Sequence, residues 1–280
     1  MLLSCVGTKQ TRRDLPVDPV AAPMPPGTEP SAPQSSNLHL PPQAEHQAEH
    51  QAEHQAAHQA AHESEIVEGK RRVLFLGDSF SIGAFGRTFD QSLRDAGFAV
   101  YTSVSGGGSP YYWLSDYPPV SIDIPYWERT PHAQRRLPSI PVVPKVETLM
   151  ERWDPDVVVV QAGTNLYSTL RSSKRSKEAN IREVENLIGK MARTVTDGGR
   201  RQCYWITPPD AHPERYPLEL QAEMLQIMQR SVGSYGRVFD SYAVTEFNEP
   251  YPGSSDGIHL GPSDAQRWGQ SAAREFLAAY

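Results

Sequence analysis

Residues 66–280 predict an α/β domain in which a parallel sheet carries helices on both faces. Two observations lead there. Short apolar runs rich in β-branched residues alternate with longer runs of helical periodicity, in the order β, α repeated five times. The strand runs are also apolar almost throughout, as strands covered on both sides must be.

In chain order, the first strand is read at Arg71 to Leu76, followed by a helix over Thr88 to Ala96. The second runs from Phe98 to Val104, with its helix at Lys145 to Trp153. Asp156 to Gln161 holds four consecutive valines and is the third strand, before a helix over Lys177 to Thr196. Gln202 to Thr207 and the helix Leu218 to Val232 come next, then Val238 to Tyr242 and a last helix over Ser263 to Ala279. In such sheets ligands meet the carboxyl ends of the strands, so the segments after each strand are where chemistry is sought.

Residues 1–65 read differently, as a low-complexity tail. Nine prolines fall between Pro16 and Pro42, a solvated linker composition that buries too little to offset its ordering entropy. The tetrapeptide Gln-Ala-Glu-His then occurs three times from Gln43, and Gln-Ala-Ala-His twice, ending at His62. These are helix-forming residues, and histidines four apart suit metal chelation, yet a period of four drifts around a helix and gives no single histidine line. The reading adopted is a spacer. At the start, Leu2-Leu3-Ser4-Cys5 resembles a bacterial lipobox, although the apolar run is too short for a full signal peptide. With a start codon further upstream, Cys5 would be lipidated and the chain would be an exported, envelope-associated lipoprotein tethered to the membrane; without one it would be cytoplasmic.

Charge narrows the function. The chain has 27 basic and 33 acidic residues; the tail holds 3 and 8 of them, leaving 24 and 25 for residues 66–280. A domain so nearly neutral lacks the basic excess of general nucleic-acid binding. With only Cys5 and Cys203, neither a disulfide framework nor a cysteine zinc site is available, and Cys203 reads as packing. No metal or other cofactor is implied.

Four segments at strand ends carry reactive groups. The first strand runs into Gly77-Asp78-Ser79, setting the Ser79 hydroxyl at a strand-to-helix corner, where it is either a helix cap or a nucleophile. Asp78 is assigned to the turn. After the second strand, Gly106-Gly107-Gly108 permits close backbone approach and offers N–H donors. After the third, Gly163-Thr164-Asn165 brings a side-chain amide to the same edge. Near the C-terminus stands Asp256-Gly257-Ile258-His259. Six of the nine histidines lie in the tail, and of His132, His212 and His259 only the last has a carboxylate three residues upstream at a strand-to-helix edge. Together these residues compose a nucleophile, its base and an orienting acid, with donors for a forming oxyanion.

The four blocks, in this chain order, resemble the SGNH (GDSL-like) hydrolase family. The resemblance covers roughly residues 70 to 280. It implies a flavodoxin-like three-layer α/β/α sandwich around a five-stranded parallel sheet, and an acyl-serine route to ester cleavage. By position, Ser79 would be the nucleophile, His259 the general base and Asp256 its orienting acid. The Ser79 N–H, the N–H of Gly106 or Gly107, and the Asn165 amide would be the oxyanion donors. Phe80 stands where the family name has Leu, and Leu166 where many members have Asp, departures that remove no reacting group and point to a divergent subfamily.

The substrate is less legible. Tyr111, Tyr112 and Trp113, with Tyr117, Tyr126 and Trp127, lie in a Pro-rich insertion over about 109–144 that is long for a βα connection. They serve either as sugar-stacking surfaces or as a small core beneath the loop. Arg171, Lys174, Arg175 and Lys177 follow the Asn165 loop and would suit an anionic polymer, or are a solvated helical turn. The expected substrate is a small acyl ester or an O-acetylated, cell-envelope glycan. An acyltransferase using the same acyl-serine, and a noncatalytic envelope-binding protein, are the competing readings.

Overall fold

The computed structural model describes residues 69–119, 124–247 and 256–280. The proline linker, the histidine repeat and Cys5 lie outside the described residues.

The first three elements are β1 (Arg72–Gly77), α1 (Ser79–Ile82) and α2 (Ala84–Asp95). Strand β2 (Ala99–Ser105) and the short α3 (Pro110–Trp113) follow, then two brief strands, β3 (Tyr126–Arg129) and β4 (Gln134–Leu137). Next come α4 (Val146–Trp153), β5 (Val157–Gln161), a turn of 3₁₀ helix at Thr164–Leu166 and α5 (Tyr167–Leu170). The last third holds α6 (Lys177–Thr196), β6 (Gln202–Ile206), α7 (Leu218–Val232), β7 (Gly236–Phe239) and α8 (Pro262–Ala279).

The strands form one sheet in the order β4-β3-β2-β1-β5-β6-β7. All pairs from β2 to β7 are parallel. The five strands expected from sequence are this parallel block, with the last one shifted from Val238–Tyr242 to Gly236–Phe239. The expected strand count of five is corrected to seven: β3 and β4 extend the β2 edge as antiparallel strands, with Ser105 opposite Tyr126 and Glu128 opposite Arg135. Both come from the insertion read as a loop. The helix expected from Thr88 begins at Ala84.

Period-two alternation sorts the side chains of β1 into two cores. Leu74 and Leu76 face one side, with Val158, Val160, Trp205 and the inner faces of α4, α6 and α7, including Leu149, Ile188 and Met228. Val73 and Phe75 face the other, with Val157, Val159, Phe239 and helices α2 and α8. There Phe85 and Trp268 stack with ring centroids 3.7 Å apart. Each such side chain, fully removed from water, contributes about 1.5–3 kcal/mol before the entropy of ordering is set against it. Two covered faces give the three layers, and they fix the carboxyl ends of β1, β2 and β5 side by side.

The β3–β4 extension is anchored by a buried ion cluster. Asp90 of α2, inaccessible to water, accepts from Arg94 Nε and Nη2 at 3.0 Å each, from Arg129 Nη1 at 2.6 Å and from the Thr102 hydroxyl at 2.5 Å. Among the described residues, no helix is long and apolar enough to cross a membrane.

Candidate active site

The β1 strand ends in a turn whose helix α1 is capped by Asp78: its Oδ1 accepts the Phe80 N–H at 3.1 Å. That cap makes Ser79 the first residue of a helix, where the backbone N–H has no intrahelical acceptor. Among the described residues none is supplied by another segment either. Asp78 is fully buried, its Oδ2 has no partner, and desolvation pushes its carboxyl up to about 7. Its hydrogen bond to the Phe80 N–H is the cap of a turn, whereas the carboxylate on the His259 ring is that of Asp256.

His259 reaches Ser79 across 180 positions of sequence, with Nε2 2.8 Å from the serine Oγ. Its Nδ1 lies 2.5 Å from Asp256 Oδ2. The other carboxylate oxygen of Asp256 accepts the backbone N–H groups of Ile258 and His259, both at 2.9 Å. A carboxylate held by two amides assigns the proton of the neutral ring to Nδ1, leaving the Nε2 lone pair facing the serine hydroxyl. The Phe80 ring lies against the imidazole, centroids 4.8 Å apart, and meets Trp268 edge-on at 5.6 Å. From the other side the His212 N–H donates to the Gly257 carbonyl at 2.9 Å. The sequence motifs gave no sign of these two supports, because both depend on residues distant in the chain.

The glycine loop is resolved residue by residue. The N–H of Gly106 is spent on the Pro125 carbonyl at 2.8 Å, so of the two glycines read as alternative oxyanion donors it is not the one left available. Gly108 donates to Ser105 O at 2.9 Å, and a Cβ there would lie 2.9 Å from the Gly77 carbonyl, so the loop rests directly on the end of β1. Gly107 has φ +67°, a conformation that favours glycine, and among the described residues its N–H has no acceptor. Asn165, on the 3₁₀ turn after β5, uses one amide hydrogen on the Gly108 carbonyl at 3.0 Å. Among the described residues its second amide hydrogen has no acceptor.

The aromatic residues divide. Trp113 is wholly buried among the core side chains, so its expected contact with substrate is corrected: it underlies the loop rather than lining it. Tyr111 and Tyr112 are half-buried, and the Tyr112 hydroxyl lies 3.4 Å from where a Gly107 Cβ would stand. Tyr126 and Trp127 are buried on β3. Of the basic residues after Asn165, Arg171 donates to the Arg215 carbonyl, Lys177 pairs with Glu223 and Arg175 with Glu183. Lys174 is exposed.

Asp256 and His259 are nearly half exposed. A cavity of about 360 Å³ lined by Val244, Leu260 and Arg267 adjoins this histidine through Leu260 rather than enclosing Ser79. Among the described residues, the Ser-His pair is thus partly open to solvent rather than enclosed in a cavity. Among the described residues, no group of three or more His, Cys, Asp or Glu side chains is placed to hold a metal ion.

No family model matches the chain, and no curated protein matches it. Solved structures do. A protein from Agrobacterium tumefaciens str. C58 named for a proposed arylesterase activity superposes with a TM-score of 0.50 at 16% identity, over 75% of this chain and 100% of that one. A peptidoglycan O-acetylesterase aligns at 0.47 and 11%, over 79% and 95%, and an acetyl xylan esterase at 0.46 and 13%, over 75% and 100%. At these identities the first likeness is one of fold: an α/β architecture with a mostly parallel central sheet and flanking helices.

Proposed function

We propose that the chain is a serine esterase of the SGNH (GDSL-like) type, cleaving acyl esters, acetyl esters of glycans foremost, through an acyl-enzyme. The observation that carries this reading is the Ser79 Oγ to His259 Nε2 separation of 2.8 Å, backed by Asp256 at 2.5 Å on the far ring nitrogen. The arylesterase that shares the fold accords with it.

In the first half-reaction, Ser79 Oγ bonds to the acyl carbon as its proton passes to His259 Nε2, and the carbonyl electron pair moves onto oxygen. The N–H groups of Ser79 and Gly107 and the free amide hydrogen of Asn165 receive that oxyanion. As the intermediate collapses, the C–O bond to the alcohol breaks and the alcohol leaves with the proton from His259. Water then repeats the sequence: His259 takes its proton, hydroxide adds to the acyl-serine, and the carboxylic acid departs as Ser79 regains its hydrogen. Asp256 holds the ring orientation and stabilises the imidazolium formed twice per turnover. Lipidation of Cys5, with tethering to a membrane by the tail, is part of this proposal.

The test is hydrolysis of p-nitrophenyl acetate by the full chain, comparing wild type with Ser79→Ala at matched folding. Nearly all of the rate should vanish in the variant. Equal rates in the two proteins would overturn the assignment.

A further inference from the structure

A groove of about 550 Å³ runs along helix α6, lined by Tyr117, Arg175, Arg182, Glu183, Lys190 and Arg193 among others. Four cations face one lining carboxylate. Two of the cations are already in exposed ion pairs, Arg175 with Glu183 and Lys190 with Asp116. Such pairs contribute little and exchange readily for an incoming anion. Arg182 is exposed, while Arg193 lies over the ring of Tyr235 at 5.8 Å.

The groove is joined to the candidate active site through α3. Tyr112 reaches Gly107, as described above, and its neighbour Tyr111 donates from its hydroxyl to Glu183 Oε1 at 2.8 Å. Tyr111 and Tyr117 meet edge to face, centroids 4.9 Å apart. The segment between them is held by one ammonium: Lys145 Nζ donates to the carbonyls of Tyr112 and Leu114 at 3.0 Å and of Tyr117 at 3.1 Å. The tyrosines are thus fixed before any ligand arrives, which removes the ordering cost of a flexible loop. Because α6 follows the carboxyl end of β5 in the chain, its Lys177 end, preceded by Arg175, is the end toward the active-site edge, and its Arg193 end leads away from it.

Spacing selects the ligand. Arg182 and Lys190 stand eight residues apart on α6, about 12 Å along a helix. Each strand of a nucleic acid carries a charge about every 3.4 Å, far denser than this row. About 10 Å is the length of a disaccharide unit, and the groove offers the ring of Tyr117 for contact with a sugar and Asn186 as a hydroxyl partner.

We propose that this groove binds an acidic glycan bearing carboxylates at disaccharide intervals, and that such a glycan, O-acylated, is the substrate presented to Ser79. The binding stands alone; its link to catalysis rests on the esterase reading.

The test uses the full chain as Ser79→Ala and follows fluorescence anisotropy of a labelled hyaluronate octasaccharide. Binding should be saturable, weaken as salt rises, and fall at least tenfold in Arg182→Glu/Arg193→Glu. The same pair of substitutions, on a Ser79 background, should leave p-nitrophenyl acetate hydrolysis unchanged. Absence of binding, equal binding of a neutral cello-oligosaccharide, tighter binding of single-stranded DNA, or indifference to the charge reversal would each overturn the proposal. Glycan binding that meets these expectations in a chain without p-nitrophenyl acetate activity would support the groove and count against the esterase reading.

Discussion

Asp78 stores a pH dependence that one substitution should erase. Its carboxyl is inaccessible to water, and the Phe80 N–H and the Gln161 side chain, which favour the charged form, do not offset that burial. Burial therefore penalises the charged form and lifts the pKa from 3.8 to about 7. In the unfolded chain the same group ionises near 4. Between those values the native state keeps a proton that the unfolded state has lost, so stability falls as pH rises through the window and levels off above pH 7. From pH 5 to pH 8 the loss amounts to about 2–3 kcal/mol.

Asn at this position retains the capping oxygen and never ionises. Any fixed cost of the new amide beside Gln161 is independent of pH and cancels when two pH values are compared. Urea unfolding of wild type and Asp78→Asn at pH 5 and pH 8 should show the variant gaining about 2–3 kcal/mol relative to wild type at the higher pH. Stability curves that stay parallel to within about 0.5 kcal/mol would refute the reasoning, since that is the usual precision of such differences.

Two further substitutions separate the site from the scaffold. Asn165→Ala should lower kcat on p-nitrophenyl acetate by roughly 10²- to 10³-fold, the cost of losing one oxyanion donor, and an unchanged kcat would remove Asn165 from that role. Asp90→Ala strands Arg94 and Arg129 without their shared carboxylate and should cost about 3–5 kcal/mol in urea unfolding; a loss under about 1 kcal/mol would show that solvent replaces the buried carboxylate freely.

The parallel strands were legible because burial on both faces leaves no polar alternation to confuse the reading, as in the four valines of β5. Strand β4, Gln134–Leu137, has no such signature: its residues are mostly exposed, and it exists by pairing with β3, which pairs in turn with β2. Short polar edge strands are set by their neighbours rather than by their own composition. The same distinction runs through the site. The Asp256–His259 spacing is local and could be read directly, whereas the fate of the Gly106 N–H depends on Pro125, far along the chain beyond a segment that carries no strand signal. Likewise Trp113 and Tyr111 are two residues apart and chemically alike in sequence, and only the packing beneath the loop makes one a core residue and the other a rim residue.

These long-range dependencies explain how the reactive groups are held ready without a ligand. His259 is fixed by Asp256 on one nitrogen, by Phe80 against its ring and, through Gly257, by the His212 backbone. Phe80 is itself wedged on Trp268 of α8, the helix that stacks on α2, so the imidazole position is referred back to the hydrophobic core. If Ser79 and His259 act as proposed, a pair so partly exposed does little to discriminate among esters by enclosure. On the proposed reading, discrimination falls to surfaces beside the pair, such as the tyrosine segment pinned by Lys145. On that reading, selectivity for large substrates with turnover of small esters is the expected kinetic behaviour, because remote binding energy can be used only by a substrate long enough to reach it.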